Sequence, residues 1–210
     1  MKIIKVRNVD SNDFYNTFKE VKTNNNRSDF VDLLSKEEYE KMKTLVLFDD
    51  NLAGFAIENN GNIVSIFKDT NRTDFENALD SLMPIAVIHG GTRMDCYGEW
   101  LAKKYMKHGF VPVAKVMFNE EYASKSWNYE RDGKPDIYFL IRFTNNIDNL
   151  IKECAHFDEE WFDYINSYLP YMEYDEAANY SQELINSISN TDNPSYKMVI
   201  DGIVAGQRRL

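Results

Sequence analysis

The order of apolar and polar segments predicts an α/β (α+β) fold: a mixed, mostly antiparallel sheet flanked by helices, with a C-terminal helical extension. Three stretches carry that expectation. Residues 44–68 contain three apolar runs joined by short polar turns, the pattern of an antiparallel meander. Gly90 to Phe118 reads as strand, helix, glycine stop and apolar strand, the order a packed α/β unit needs. Residues 146–188 set apolar side chains at helical spacing within an acidic background. The expected organisation is one domain over residues 1–145 and an acidic, aromatic-rich helical extension over 146–210, packed on it.

Composition supports a folded chain and narrows its chemistry. Of 210 residues, 43% are hydrophobic and 14% aromatic, enough to bury a core and too many for a disordered chain. The net charge of -10 is unevenly spread: residues 1–145 carry 20 Lys/Arg against 22 Asp/Glu, and residues 146–210 carry 4 against 12. Such a balance argues against phosphate-backbone binding, so no nucleic acid is expected as a partner. Cys96 and Cys154 make neither a disulfide framework nor a zinc spacing, and three histidines are too few for a histidine-rich metal site. No metal is expected. The opening MKIIKVRNVD is too short an apolar run for a signal peptide, and no stretch reaches the ~20 apolar residues of a membrane span. The expectation is a soluble, cytoplasmic protein.

Taken in order, Lys2 to Val9 reads as an opening strand ended by the Asp10–Asp13 cluster, whose residues suit an N-cap for a helix bearing Phe14, Phe18 and Val21. The polar run Thr23–Ser28 breaks that helix, and Ser35-Lys36-Glu37-Glu38 matches a capping box for a second. Strands follow at Thr44–Phe48, Leu52–Glu58 and Asn62–Lys68, with turns at Asp49–Asn51 and Asn59–Asn62. Thr73 or Asp74 caps a helix with Phe75, Ala78, Leu79, Leu82 and Met83 on one face; Pro84 predicts a break or kink there, and His89-Gly90-Gly91 the end. Thr92–Tyr97 is a strand, Glu99–His108 a lysine-bearing helix and Phe110–Phe118 a strand. Residues 119–135, with Trp127 and Tyr129, form a polar and aromatic connection, and Asp136–Phe143 is an interior strand. Further helices are expected around Leu150, Ile151, Cys154 and Phe157, around Trp161, Tyr164, Ile165 and Tyr168, and around Leu184, Ile185 and Ile188.

This succession of a strand, two helices, a three-strand meander, a helix, and then strand, helix, strand and strand resembles the GCN5-related N-acetyltransferase (GNAT) fold. Tyr105-Met106-Lys107-His108-Gly109-Phe110 matches the Tyr-x-x-x-Gly-Phe pattern that closes a helix in that family. The block TRMDCYG…KKYMKHGFVPVAKVMFNEEYA…W also resembles GNAT-like domains of bacteriophages and mobile elements. The resemblance covers residues 1–145 and implies an acyl-CoA-dependent N-acyltransferase that modifies an amine on a small molecule or a protein, with acetyl-CoA or another acyl-CoA as cofactor. It implies cofactor contacts from Val64, Ser65, Ile66, Phe67 and Lys68 of the central strand and from Asn71, Arg72 and Thr73 beyond it. The family's glycine-containing pyrophosphate loop has no counterpart here, because residues 68–77 contain no glycine. That departure admits a second reading, a catalytically inactive GNAT-fold binding or regulatory module acting on a protein partner through its acidic aromatic tail.

Tyr105 stands where the resemblance implies the acid that reprotonates the leaving thiolate, a role a phenol can fill; the alternative is a helix tyrosine packing beside Leu101. Asp95 or Glu99 is the candidate general base, against an ordinary solvated or capping carboxylate. Lys103, Lys104 and Lys107 read as a solvated helix face or as an attraction for a phosphate-bearing ligand. Trp127 and Tyr129 either cover an acceptor pocket or pack against the C-terminal helices. The tail aromatics read as the inner face of a helical lid or as a partner-binding surface.

Overall fold

The computed structural model describes residues 5–25, 27–48, 50–69, 78–142, 158–189, 199 and 201–202. The chain divides into two compact units, Met1–Thr92 and Arg93–Leu210.

The first unit is built on a four-stranded antiparallel sheet in the order β1-β2-β3-β4, from β1 (Val6–Asn8), β2 (Thr44–Phe48), β3 (Ala53–Ile57) and β4 (Ile63–Lys68). Helix α1 (Ser11–Thr23) starts where the sequence predicts, with the Asp10 side chain accepting from the Asp13 N–H at 2.9 Å. Its apolar stripe, Phe14, Phe18 and Val21, meets Leu45, Leu47, Ala56 and Phe67 on one face of the sheet. Phe18 stacks on Phe67 with ring centroids 4.6 Å apart. Helix α2 (Lys36–Glu40) opens on the anticipated capping box: Glu38 N–H donates to Ser35 Oγ at 3.2 Å, and Ser35 N–H to Glu38 Oε2 at 2.7 Å. These bonds hold the Glu38 carboxyl below its usual range.

Helix α3, described over Ala78–Ile88, packs against β3. Pro84 lies inside it and the helix runs on to Ile88, so the anticipated break does not occur. Pro84 is on the exposed side, while Leu82, Met83, Ala86 and Val87 continue the buried stripe across it. Burial of that stripe, at ~25 cal/mol per Å2 of apolar surface, outweighs one missing intrahelical bond. The helix ends as expected. Gly91 N–H donates to Ala86 O at 2.8 Å and Gly90 N–H to Val87 O at 3.0 Å, a Schellman pair that needs the φ of +94° Gly90 adopts. Phe75, proposed for the same helix face, lies outside the described residues.

The second unit carries a three-stranded antiparallel sheet, β5 (Arg93–Tyr97), β6 (Phe110–Val116) and β7 (Ile137–Arg142), with β7 between the other two. Helix α4 (Glu99–Met106) joins β5 to β6, buries Ala102, Tyr105 and Met106, and stops at Gly109, whose φ is +84°. Pro112 is tolerated inside β6 because that strand ends the sheet and its register shifts between Pro112 and Ala114. The connection before β7 contains a short helix, α5 (Tyr129–Asp132). Trp127 is buried, donates Nε1–H to Gly133 O at 2.9 Å, and packs on Tyr97 and Phe118 with centroids 5.2 and 5.0 Å away. These ring partners come from β5 and from the residues just after β6.

Helices α6 (Glu159–Asn166) and α7 (Tyr174–Ser189) belong to this unit. On α7, Ala177 meets Ala114, Val116 and Phe139, and Arg93 of β5 donates to Gln182 Oε1 at 3.1 Å and to Ser181 Oγ at 3.4 Å. On α6, Phe162 and Ile165 are buried; of the row expected from sequence, Trp161, Tyr164, Ile165 and Tyr168, Ile165 faces inward, Trp161 and Tyr168 are half-buried and Tyr164 is exposed. The residues between the helices bond to β6: Lys115 N–H donates to Pro170 O and Met172 N–H to Lys115 O, each at 2.9 Å, in a parallel bridge. The helix expected around Leu150, Ile151, Cys154 and Phe157 lies outside the described residues. Among the described residues no helix is long and apolar enough to cross a membrane.

Candidate active site

In the first unit the notable backbone feature is in β4. Gly54 pairs with Phe67 and Ala56 with Val64, so Ser65 and Ile66 together face the single residue Phe55: a β-bulge. Ser65 opens it at φ +52°, a conformation glycine usually supplies and one that costs a non-glycine residue about 1–3 kcal/mol. A bulge takes one residue out of the one-to-one ladder and re-aims the backbone around it. Val64, Ile66 and Lys68 are half-buried, while Ser65 and Phe67 point into the core. Of the residues proposed for cofactor contact, Val64 to Lys68 therefore form one continuous, locally irregular strand. Asn71, Arg72 and Thr73 lie outside the described residues.

In the second unit Tyr105 is buried on α4, 5% exposed. Burial pushes its phenol well above the usual tyrosine range, and the nearby Cys96 and Asp95 add to the rise. Cys96 is buried too and its thiol is raised well above normal, again first by desolvation, which suits an inert thiol rather than a nucleophile. Asp95 is half-buried on β5. The structure thus brings Tyr105, Cys96 and Asp95 into one electrostatic neighbourhood.

Glu99, the first residue of α4, is exposed and sits in a different polar group. Its Oε1 accepts from Asn166 Nδ2 at 3.1 Å and from Tyr138 Oη at 3.4 Å. Tyr138 is nearly buried on β7, and desolvation followed by the charges of Glu99 and Asp136 raises its phenol far above normal. Lys115 of β6 donates Nζ–H to Asn166 O at 3.1 Å and lies 4.5 Å from the Tyr171 ring centroid; burial lowers its pKa against the pull of Asp136 and Glu99. Tyr171 donates to Asp136 Oδ2 at 2.7 Å. Lys103, from the presumed solvated face, pairs with Asp163 at 3.2 Å and lies 4.9 Å from the Phe162 ring centroid.

Sequence reasoning missed Tyr138, Lys115, Asn166, Tyr171 and Asp136. One signal was visible: Lys115 is the only charged residue in the apolar run Phe110–Phe118. The other four come from two places in the chain, Asp136 with Tyr138 and Asn166 with Tyr171, that sequence gives no reason to bring together. Among the described residues no group of three or more His, Cys, Asp or Glu side chains could hold a metal ion.

A strand, two helices, a three-strand antiparallel meander, then helix, strand, helix and two strands with the last inserted between its predecessors is the GNAT-like order of elements expected from the sequence. No protein-family model matches the chain, and no curated protein does. Two solved structures are similar. One is a protein assigned as a phosphinothricin N-acetyltransferase, 17% identical over 67% of this chain and 98% of that one, with a TM-score of 0.45. The other is YncA, assigned as an acetyltransferase, from Salmonella typhimurium, solved with its cofactor acetyl-CoA; it is 10% identical over 66% of this chain and 92% of that one, also with a TM-score of 0.45.

Proposed function

We propose that the protein is an acyl-CoA-dependent N-acyltransferase of GNAT type acting on an amine of a small molecule or protein. The observation that carries this reading is the β4 bulge, which turns the backbone at Ser65 out of regular pairing at the strand the resemblance assigns to the cofactor. Polar backbone groups re-aimed in this way fit the carbonyl and amide groups of a pantetheine thioester. Acyl-CoA, when bound, supplies a thioester open to direct attack by an amine.

In this reading Val64, Ser65, Ile66 and Phe67 orient the ligand through their backbone, and Lys68, Asn71, Arg72 and Thr73 supply charge and hydrogen bonds for its phosphates. A carboxylate, Asp95 or Glu99, takes the proton from the amine. Tyr105 serves the leaving sulfur as a hydrogen-bond donor. Its raised pKa keeps it protonated over the whole working range, and also makes full proton transfer to a thiolate unfavourable, since tyrosinate is then the stronger base. Water completes the protonation.

The test is calorimetry with acetyl-CoA and with CoA; binding is expected, and no heat with either at millimolar ligand sinks the proposal. With an acceptor amine in hand, Tyr105→Phe is expected to lower kcat by about 100-fold, the low end of what one hydrogen-bond donor to a developing negative charge contributes, with little change in KM. Comparing Asp95→Asn with Glu99→Gln identifies the base as the one whose loss removes the acidic limb of the kcat/KM profile against pH.

A second reading, the inactive binding module, is favoured by two observations. Residues 68–77 lack glycine, and residues 158–189 contain no Lys or Arg while exposing Tyr164, Tyr171 and Tyr174. It predicts that a lysine-rich peptide binds in a salt-dependent way and that Glu159→Lys with Glu160→Lys abolishes the binding. A peptide indifferent to both changes overturns it.

A further inference from the structure

Ser65 is an uncommon residue to find at positive φ, and its side chain is tied down from two sides. Its hydroxyl lies 2.8 Å from Tyr39 Oη and donates to Asp32 O at 3.4 Å, while Leu34 N–H donates to Tyr39 Oη at 3.3 Å. A hydroxyl has one proton to give. Ser65 spends its proton on Asp32, so Tyr39 donates to Ser65, and a continuous relay runs from Leu34 N–H through Tyr39 and Ser65 to Asp32 C=O. Burial raises the Tyr39 pKa and keeps the donor form in place. The Tyr39 ring is itself held, 1% exposed and 4.9 Å from the Phe14 centroid. The same connection between α1 and α2 is fixed elsewhere: Asn25 Nδ2 donates to Lys68 O at 3.2 Å, and Lys22 Nζ bonds Ser28 O and Val31 O.

We propose that Tyr39 is a positioning residue for the β4 bulge: acting through Ser65 Oγ, it holds the Ser65 backbone at positive φ and locks residues 31–34 to that strand. Where this concerns acyl-CoA it rests on the acyl-transfer reading above. The local claim does not.

Two measurements decide it. Tyr39→Phe keeps the ring and removes only the hydroxyl; amide hydrogen exchange over 63–67 and 31–34 is expected to quicken about tenfold, the worth of one buried hydrogen bond, with β2 unchanged. Unchanged rates over 63–67, or an equal rise in β2, overturn the clamp. The second measurement is acetyl-CoA affinity by calorimetry. Tyr39→Phe is expected to weaken it about tenfold, with the β2 amides still protected as in the unmodified protein. Fast exchange with unchanged affinity overturns the link to the cofactor. If the unmodified protein gives no heat, the acyl-transfer reading fails, and exchange alone then upholds or overturns the clamp.

Discussion

Tyr171 is more than half exposed, yet its phenol is pushed up to about 12, first by its hydrogen bond to Asp136 and then by desolvation and by the charges of Asp136 and Glu99. A raised value means that the native state favours the protonated phenol. The contribution of this bond is complete below about pH 10, the unfolded value, and is lost as pH rises through about 12. A tyrosinate absorbance titration is expected to show one phenol ionising near 12 that disappears in Tyr171→Phe. Solvent around Tyr171 keeps the associated stability change small. Tyr105 and Tyr138 differ in kind: desolvation leads in both, so both stay protonated beyond that range. Lys115, hemmed between Asn166 O and the Tyr171 ring, shows why a single charged residue in an apolar strand merits a search for the groups that face it.

The elements themselves show where sequence was informative. At α3, Pro84 sits on the exposed side of a helix that passes through it, so Pro84→Ala restores an N–H without touching the core. The expected gain is about 1–3 kcal/mol, below the full helix-propensity difference because alanine also loosens the unfolded chain; thermal or urea unfolding checks it. The meander was legible to within a residue because both of its faces are covered, which makes TLVLF and AGFAI continuous apolar runs, and because Asn51 and Gly61 mark its turns at positive φ. The Ser35 capping box was legible because it is local. Of the break or kink expected at Pro84, the break does not occur, because a local rule was applied where tertiary burial decides. The Ser65 bulge left no mark in the sequence, since the residue at its first position is a serine held by side chains from a different element. The hydrogen bonds around Glu99 were likewise hidden, for α4, β7 and α6 meet there only in the folded unit.

For the molecule as a whole, the uneven charge has a structural counterpart: the acidic helices α6 and α7 belong to the same compact unit as β5, β6 and β7. Strand β6 is buried along its whole length, FVPVAKV, and among the described residues the edge away from β7 is bridged at Lys115, by Pro170 and Met172. Those two backbone bonds guard a template. An apolar strand edge with open N–H and C=O groups recruits another chain as readily as its own. Met172→Pro deletes the N–H that reaches Lys115 O, and light scattering at rising concentration is expected to show more self-association than in the unmodified protein. The short passage between α6 and α7 would then be what keeps this molecule from polymerising with its own copies.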